Sequence, residues 1–170
     1  MSDASTTALD LVDVESLVAP ISAEDPCGPD LDEEGDPAFM NYIANADQLM
    51  PSRYFDFDRA GVDLAEQIAA GRKLADRTHD VRLMATLAKF HILDRDLEGY
   101  VRQIVALARL FDTQWDDLRP APQEGDHSLR LAAAQSLNDA ATSVLPLEHV
   151  PLAHHPRFGA IIYRAHLIAS

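Results

Sequence analysis

Apolar positions recur with helical spacing along most of this chain, and the interruptions fall at proline, glycine and acidic residues. Phe39, Ile43, Ala46 and Met50 share one face at steps of three and four. They follow Asp36-Pro37, which offers an N-cap carboxylate and a proline suited to the first helical position. Pro51 stops that helix. A loop over 51–60 contains Tyr54, Phe55 and Phe57 among acidic residues. Leu64, Ile68, Gly71 and Ala75 then mark a helix over about 62–77. A glycine in a helix interior costs about 1 kcal/mol relative to alanine. Either the helix weakens at Gly71 or another helix packs closely against it.

Over 80–93 the apolar residues Val81, Leu83, Met84, Leu87, Ala88, Phe90 and Ile92 surround nearly the whole helix. Arg82, Thr86 and Lys89 form one narrow polar stripe, the pattern of a helix buried on most sides. The spacing predicts that this helix is the central element of the fold. The clearest amphipathic pattern lies at 95–114, with Leu97, Tyr100, Val101, Ile104, Val105, Ala108 and Phe111 facing inward and Arg102, Gln103 and Arg109 on the other side. Trp115 follows, and residues 116–122 turn the chain before a polar loop at 123–128. A last long helix is predicted over 127–145, burying Ala133, Leu137, Ala140, Ala141 and Val144 and ending at Pro146.

The two ends differ from this helical body. Residues 1–12 are small and polar and read as a flexible N-terminus, with a short helix from near Asp13 that turns Leu17 and Val18 inward and ends at Pro20. Residues 19–37 read as an ordered, extended loop with tight turns; the stretch 19–31 alone holds three prolines and a glycine. Residues 151–170 read as an extended tail or the start of a linker, and the β-branched run after Gly159 also suits a strand. The expected fold is all-α: a compact bundle of about five to six helices over 13–150, with the Pro/Gly-rich loop at one end and the tail at the other.

Charge narrows the functional classes. Twenty-eight acidic residues face fourteen Lys and Arg, a formal net charge of −14 over 170 residues. A phosphate backbone or anionic membrane repels such a surface, so nucleic acid and membrane insertion are not expected. A basic partner protein suits it better. The single cysteine, Cys27, excludes an internal disulfide and fits a reducing compartment. The polar start of the chain does not resemble a secretory signal, and no apolar run reaches the roughly 18 residues needed to span a bilayer. A soluble, cytoplasmic protein is expected.

No catalytic, cofactor-binding or metal-binding set emerges. Asp30-Leu31-Asp32-Glu33-Glu34-Gly35 imitates half a calcium loop, but its twelfth position is Asn41 and Pro37 falls inside it. His154 and His155 are adjacent and so share no helix face, and with His149 and His166 they read as surface histidines. Cys27 sits between Pro26 and Gly28 with no neighbouring base in sequence, and reads as a structural thiol packed under the loop. A Gly-x-Ser-x-Gly elbow and a phosphate-cradling glycine loop are both missing.

Several segments together resemble one family. Leu17-Val18-Ala19-Pro20-Ile21-Ser22, followed by Asp25-Pro26-Cys27-Gly28-Pro29-Asp30-Leu31, looks like an "L-x-x-P-I-S … P-C-G-x-D-L" opening, and Asp36-Pro37-Ala38-Phe39 like its "D-P-x-F" helix start. Thr78-His79-Asp80-Val81-Arg82-Leu83 resembles "S-K-D-L-R-L", and Trp115-Asp116-Asp117-Leu118-Arg119-Pro120 resembles "W-D-x-L-H-P". Pro151-Leu152 and Gly159 to Arg164 look like the end of the same domain. Over roughly 14–168 the chain is similar to the N-terminal domain of the ImpA, or TssA, family of type VI secretion proteins. It departs from the pattern at His79, where the family usually has Lys, and at Arg119, where it usually has His.

The resemblance implies a cytoplasmic helical domain with no catalytic residues, which docks to baseplate, tube or sheath components of the secretion machine. It also implies that oligomerisation belongs to a C-terminal region beyond this chain, which is then a fragment or a short member. The candidate protein interface comprises Pro20, Ile21, Pro26, Gly28 and Leu31 in the loop, with Trp115 and Arg119. Each admits a second reading: the loop as a strap between helices, and Trp115 as a core anchor. Two other functions stand beside docking. One is a purely structural or oligomerisation domain. The other is a small-ligand-binding or hydrolytic helical domain, which a buried polar pocket lined by titratable groups would favour.

Overall fold

The computed structural model describes residues 14–157 and 159–162; the expected flexible segment 1–12, Asp13 and His166 lie outside them. Along the chain come α1 (Glu15–Val18), α2 (Pro37–Leu49), 3-10 turns at Tyr54–Asp56 and Arg59–Gly61, α3 (Leu64–Ala75), α4 (Val81–Leu93), α5 (Leu97–Thr113) and α6 (Ser128–Gln135). A 3-10 turn (Ser136–Asn138), a π turn (Ala140–Val144), α7 (Leu145–His149) and strands β1 (Pro151–His155) and β2 (Gly159–Ile162) complete it. The protein is mostly helical, as the hydrophobic spacing predicts.

Aspartates start four of the helices, α2 to α5. Asp36 accepts the Phe39 N–H at 2.9 Å, Asp63 that of Glu66 at 2.9 Å, Asp80 that of Arg82 at 2.8 Å and Asp96 that of Gly99 at 2.9 Å. Each carboxylate satisfies an amide that the helix itself leaves without a partner. Pro37 follows Asp36 at the first helical position, and Pro51 comes directly after the C-cap residue Met50.

Helix α4 is the centre. Ten of its thirteen residues are buried, and it touches α2, α3, α5, α6 and α7. Leu83, Leu87, Phe90 and Leu93 enter one apolar cluster with Phe39 and Tyr42 of α2 and Leu64 and Ile68 of α3. Val81 and Met84 enter a second cluster with Val14, Cys27, Leu118 and the α5 residues Val105, Ala106 and Leu110. Serving two clusters on opposite sides is what requires apolar residues almost all round the helix.

Gly71 takes the second of its two readings. A Cβ there would lie 2.3 Å from the Tyr42 hydroxyl and 2.7 Å from Leu87 Cδ2, so α3 packs against α2 and α4 with no room for a methyl group. The Tyr42 hydroxyl is itself fixed, donating to the Gln67 carbonyl at 3.0 Å.

Two expectations need correction. On α5 the buried residues are Gly99, Gln103, Val105, Ala106, Leu107 and Leu110, while Tyr100, Val101 and Ile104 are half-buried and Ala108 is exposed. Gly99 abuts His91 of α4 with no room for a Cβ, and Ala106 and Leu110 share a cluster with Val81 and Met84 of α4. Gln103, expected outside, is inside. The predicted helix 127–145 is broken, because the Asp139 carboxylate accepts from Ala141 N–H, Thr142 N–H and the Thr142 hydroxyl and so starts a new turn. Pro146 does not end a helix; it lies in the first turn of α7. The run after Gly159 takes its strand reading: residues 151–162 fold back as an antiparallel hairpin, pairing Ala153 with Ile161 and His155 with Gly159.

Gly71→Ala is expected to destabilise the protein by about 1–3 kcal/mol through overpacking, despite alanine's better helix propensity. Urea unfolding measures this; a raised midpoint would contradict the close contact between α3, α2 and α4.

Candidate interaction surface

The loop 19–36 lies across the first turn of α4 and the turn after α5 as a strap. It cannot supply its own regular ladder of hydrogen bonds, so its backbone groups must bond elsewhere. The His79 N–H donates to the Cys27 carbonyl at 2.7 Å, and the Thr78 hydroxyl to the Pro29 carbonyl at 2.8 Å. The Asp30 carboxylate accepts from the strap amides of Asp32 and Glu33 through one oxygen, and from the Ala121 N–H at 2.9 Å through the other. The calcium-loop imitation thus spends its first carboxylate on peptide N–H groups. Among the described residues, no group of three His, Cys, Asp or Glu side chains is placed to hold a metal ion.

Charged side chains close the arrangement. Asp80, 1% exposed, caps α4 and binds the Arg82 guanidinium through both oxygens, at 3.1 and 2.6 Å. Arg82 reaches Asp32 on the strap and lies over the Phe39 ring, 5.2 Å from its centroid. Arg77 pairs with Asp36, the last residue of the strap, at 2.6 Å. Arg119 bridges in the other direction: its Nε donates to the Gly28 carbonyl and a terminal nitrogen to Asp25, both at 2.8 Å. Its backbone pairs with the start of α4, donating to the His79 carbonyl and accepting from the Val81 N–H.

Beneath lies Arg130 of α6, 1% exposed. Its guanidinium donates to the carbonyls of Trp115, Leu118 and Pro120 and stands over the Trp115 ring at 5.2 Å. One planar cation thereby satisfies three carbonyls of a turn that forms neither helix nor sheet. Sequence reasoning missed Arg130, because nothing in its own segment distinguishes it from a solvated helix arginine.

The predicted interface residues differ in exposure. Pro20 is exposed, while Ile21, Pro26, Trp115 and Arg119 are half-buried. Gly28 and Leu31 are buried against the chain itself. Gly28 has φ +72°, and a Cβ there would meet the Arg77 carbonyl oxygen at 2.3 Å, so it shapes the strap from within. Trp115 packs edge-on against Phe111, with ring centroids 5.3 Å apart, and lies near His127. Cys27 is fully buried, its thiol donating to Gln114 Oε1 at 3.1 Å, and burial pushes its pKa up to about 11. It is held as a neutral thiol, unsuited to nucleophilic work. His149 contacts the rings of Tyr54 and Phe55.

A family model described as ImpA, N-terminal, type VI secretion system, matches residues 18–139. The chain belongs to this family. The match begins in α1, takes in the strap and α2 to α6, and ends at Asp139, where the last predicted helix breaks. The type VI secretion system component TssA1 of Pseudomonas aeruginosa is 27% identical over 173 residues, covering 94% of this chain and 47% of that protein. The chain thus spans about half the length of this curated relative. A solved N-terminal domain, including the conserved ImpA_N region, of the TssA component from Burkholderia cenocepacia aligns with TM-score 0.64 and 24% identity. That alignment covers 93% of this chain and 58% of the other, and it shows a shared fold. The segments that resemble the family opening, the entry to α4 and the turn after α5 are far apart in sequence and meet in the one knot just described.

Arg130→Met keeps the length and apolar stem but leaves three carbonyls without donors; it should lower stability by about 3 kcal/mol in urea unfolding. Arg130→Lys should rescue little, because an ammonium lacks the planar fork. Acid should also destabilise the fold. Burial lowers the pKa of both His79 and His91 from 6.5, so the unfolded chain takes up protons first as pH falls. Their contribution is complete above that value and declines as pH falls from it toward the folded-state values. Urea midpoints between about pH 7 and about pH 5 should drop, and less steeply in His79→Gln.

Proposed function

We propose that this chain is a non-catalytic docking module of a type VI secretion assembly protein, working in the cytoplasm and contacting baseplate, tube or sheath components. The family match over 18–139 carries this reading. The knot supports it physically: hydrogen bonds and ion pairs hold the strap in one conformation, and a preorganised surface loses little entropy on binding. Pro20, with the accessible parts of Ile21, Pro26, Trp115 and Arg119, forms the proposed contact region; Gly28 and Leu31 maintain its shape. The acidic excess of fourteen charges favours a partner with a basic face. Oligomerisation is assigned to the portion of the longer relatives that this chain does not span.

Tagged chain expressed in cells that build the secretion machine should retain at least one baseplate, tube or sheath protein. Retention should weaken with rising salt, as expected of charge-led association. Pro20→Arg lies on the exposed part of the strap and should reduce retention while the circular dichroism spectrum is unchanged. Recovery of no secretion component would refute the docking role.

A further inference from the structure

Charge is spread unevenly along the chain. All twenty-eight Asp and Glu lie at or before Glu148, and residues 149–170 hold none. That last stretch carries Arg157, Arg164 and four histidines instead. An acidic body is thus followed by a segment of positive formal charge. At physiological ionic strength the field of exposed charges is largely screened beyond about 8 Å. A partner that touches this segment therefore meets its local charge, not the charge of the whole chain.

The hairpin β1–β2 lies within this segment. Among the described residues it is a two-stranded sheet, and neither strand exchanges a backbone hydrogen bond with another element. Pro151, Leu152, Ala153, Ala160 and Ile161 are all exposed. Leu152 and Ile161, 47% and 38% exposed, are large apolar side chains left open to water. A two-stranded hairpin with so little of it covered is marginal in water, and a third strand or a packing partner is what stabilises such a unit.

The two outer edges of the hairpin differ. An outer edge presents backbone N–H and C=O groups that can template another strand, and natural proteins guard such edges with charge, proline or a bulge. The β1 edge is guarded: Pro151 has no N–H to donate, and the register shifts between Pro151 and Ala153. The β2 strand, Gly159–Ile162, holds no proline and no charged residue, and its residues pair in unbroken order from Gly159 to Ile161. The open edge therefore belongs to β2, which lies between Arg157 and Arg164 in sequence.

We propose that the free edge of β2 takes up an extended, acidic segment of a partner protein as a third strand. Backbone hydrogen bonds supply the pairing, apolar residues at alternate positions of the incoming strand lie beside Ile161, and its carboxylates meet the positive charge of residues 149–170. This contact is opposite in sign to the basic partner face assigned to the strap, so the two contacts select chemically different segments. It stands on the hairpin alone and does not depend on the strap reading.

The test uses the purified chain and capped six-residue peptides, with the amide NMR signals of Gly159 to Ile162 as the readout. A peptide alternating Glu and Val should shift these signals saturably and slow hydrogen exchange at the β2 amides that are unprotected in the free chain. The same peptide with a central proline cannot complete the ladder and should bind about tenfold more weakly. A peptide alternating Lys and Val should also bind β2 about tenfold more weakly at about 0.15 M salt, although the chain as a whole carries −14. Ile161→Glu puts an acid on an exposed position of the edge and should abolish the response while the helical circular dichroism is unchanged. If that variant loses the hairpin, the three peptides on the unaltered chain decide. No saturable change at millimolar peptide, equal affinity for the proline peptide, or a preference for the Lys peptide would overturn the proposal. So would β2 amides already fully protected in the free chain: protection that grows with protein concentration would give the edge to a second copy, and protection independent of concentration would give it to the chain's own residues.

Discussion

A loop that leaves water must find a partner for every backbone N–H and carbonyl it carries with it. The strap at 19–36 and the turn at 115–121 both face this constraint, and they solve it jointly around the first turn of α4. Arg119 spans the two, with its side chain on Gly28 and Asp25 and its backbone on His79 and Val81. Arg130 satisfies the turn from below, and Asp30 joins strap to turn through the Ala121 N–H. Remove any of these and buried peptide groups lose their partners, which costs more than the bond itself contributes.

That constraint connects the packing of the helices to the surface that the family presents. Helix α4 is enclosed by both apolar clusters, so its N-terminus is a fixed point. Asp80 caps it and fixes Arg82, which in turn holds the strap through Asp32. The docking surface proposed around Pro20 and Trp115 inherits its rigidity from the core by this route.

The acidic composition has a structural as well as a functional side. Many aspartates act locally, as caps on α2, α3, α4 and α5 and at the break near Asp139. This explains why the start of α2 at Asp36-Pro37 was readable directly: an N-cap acts within three positions of itself, and its signal is complete in a short window. The enclosed character of α4 was legible for a similar reason, since burial on all sides leaves its mark on every turn. The same logic explains the errors. The large apolar residues of α5 suggested its inner face, whereas Gly99 and Gln103 are buried and Tyr100, Val101 and Ile104 only partly so, a choice that the neighbouring elements make. The alanine-rich stretch after 127 looked continuous because helix propensity outweighed the competing carboxylate of Asp139.

The chain alone therefore determined its helical class, the central place of α4, the start of α2 and the family pattern, because each depends on residues close together or on the order of segments. Tertiary structure alone decided that Arg130 would lie buried under a turn and that Gly28 and Leu31 would be covered. Those outcomes depend on which groups lie across space from a side chain, and a hydrogen bond between residues far apart in the chain leaves no periodic trace in either partner's own segment.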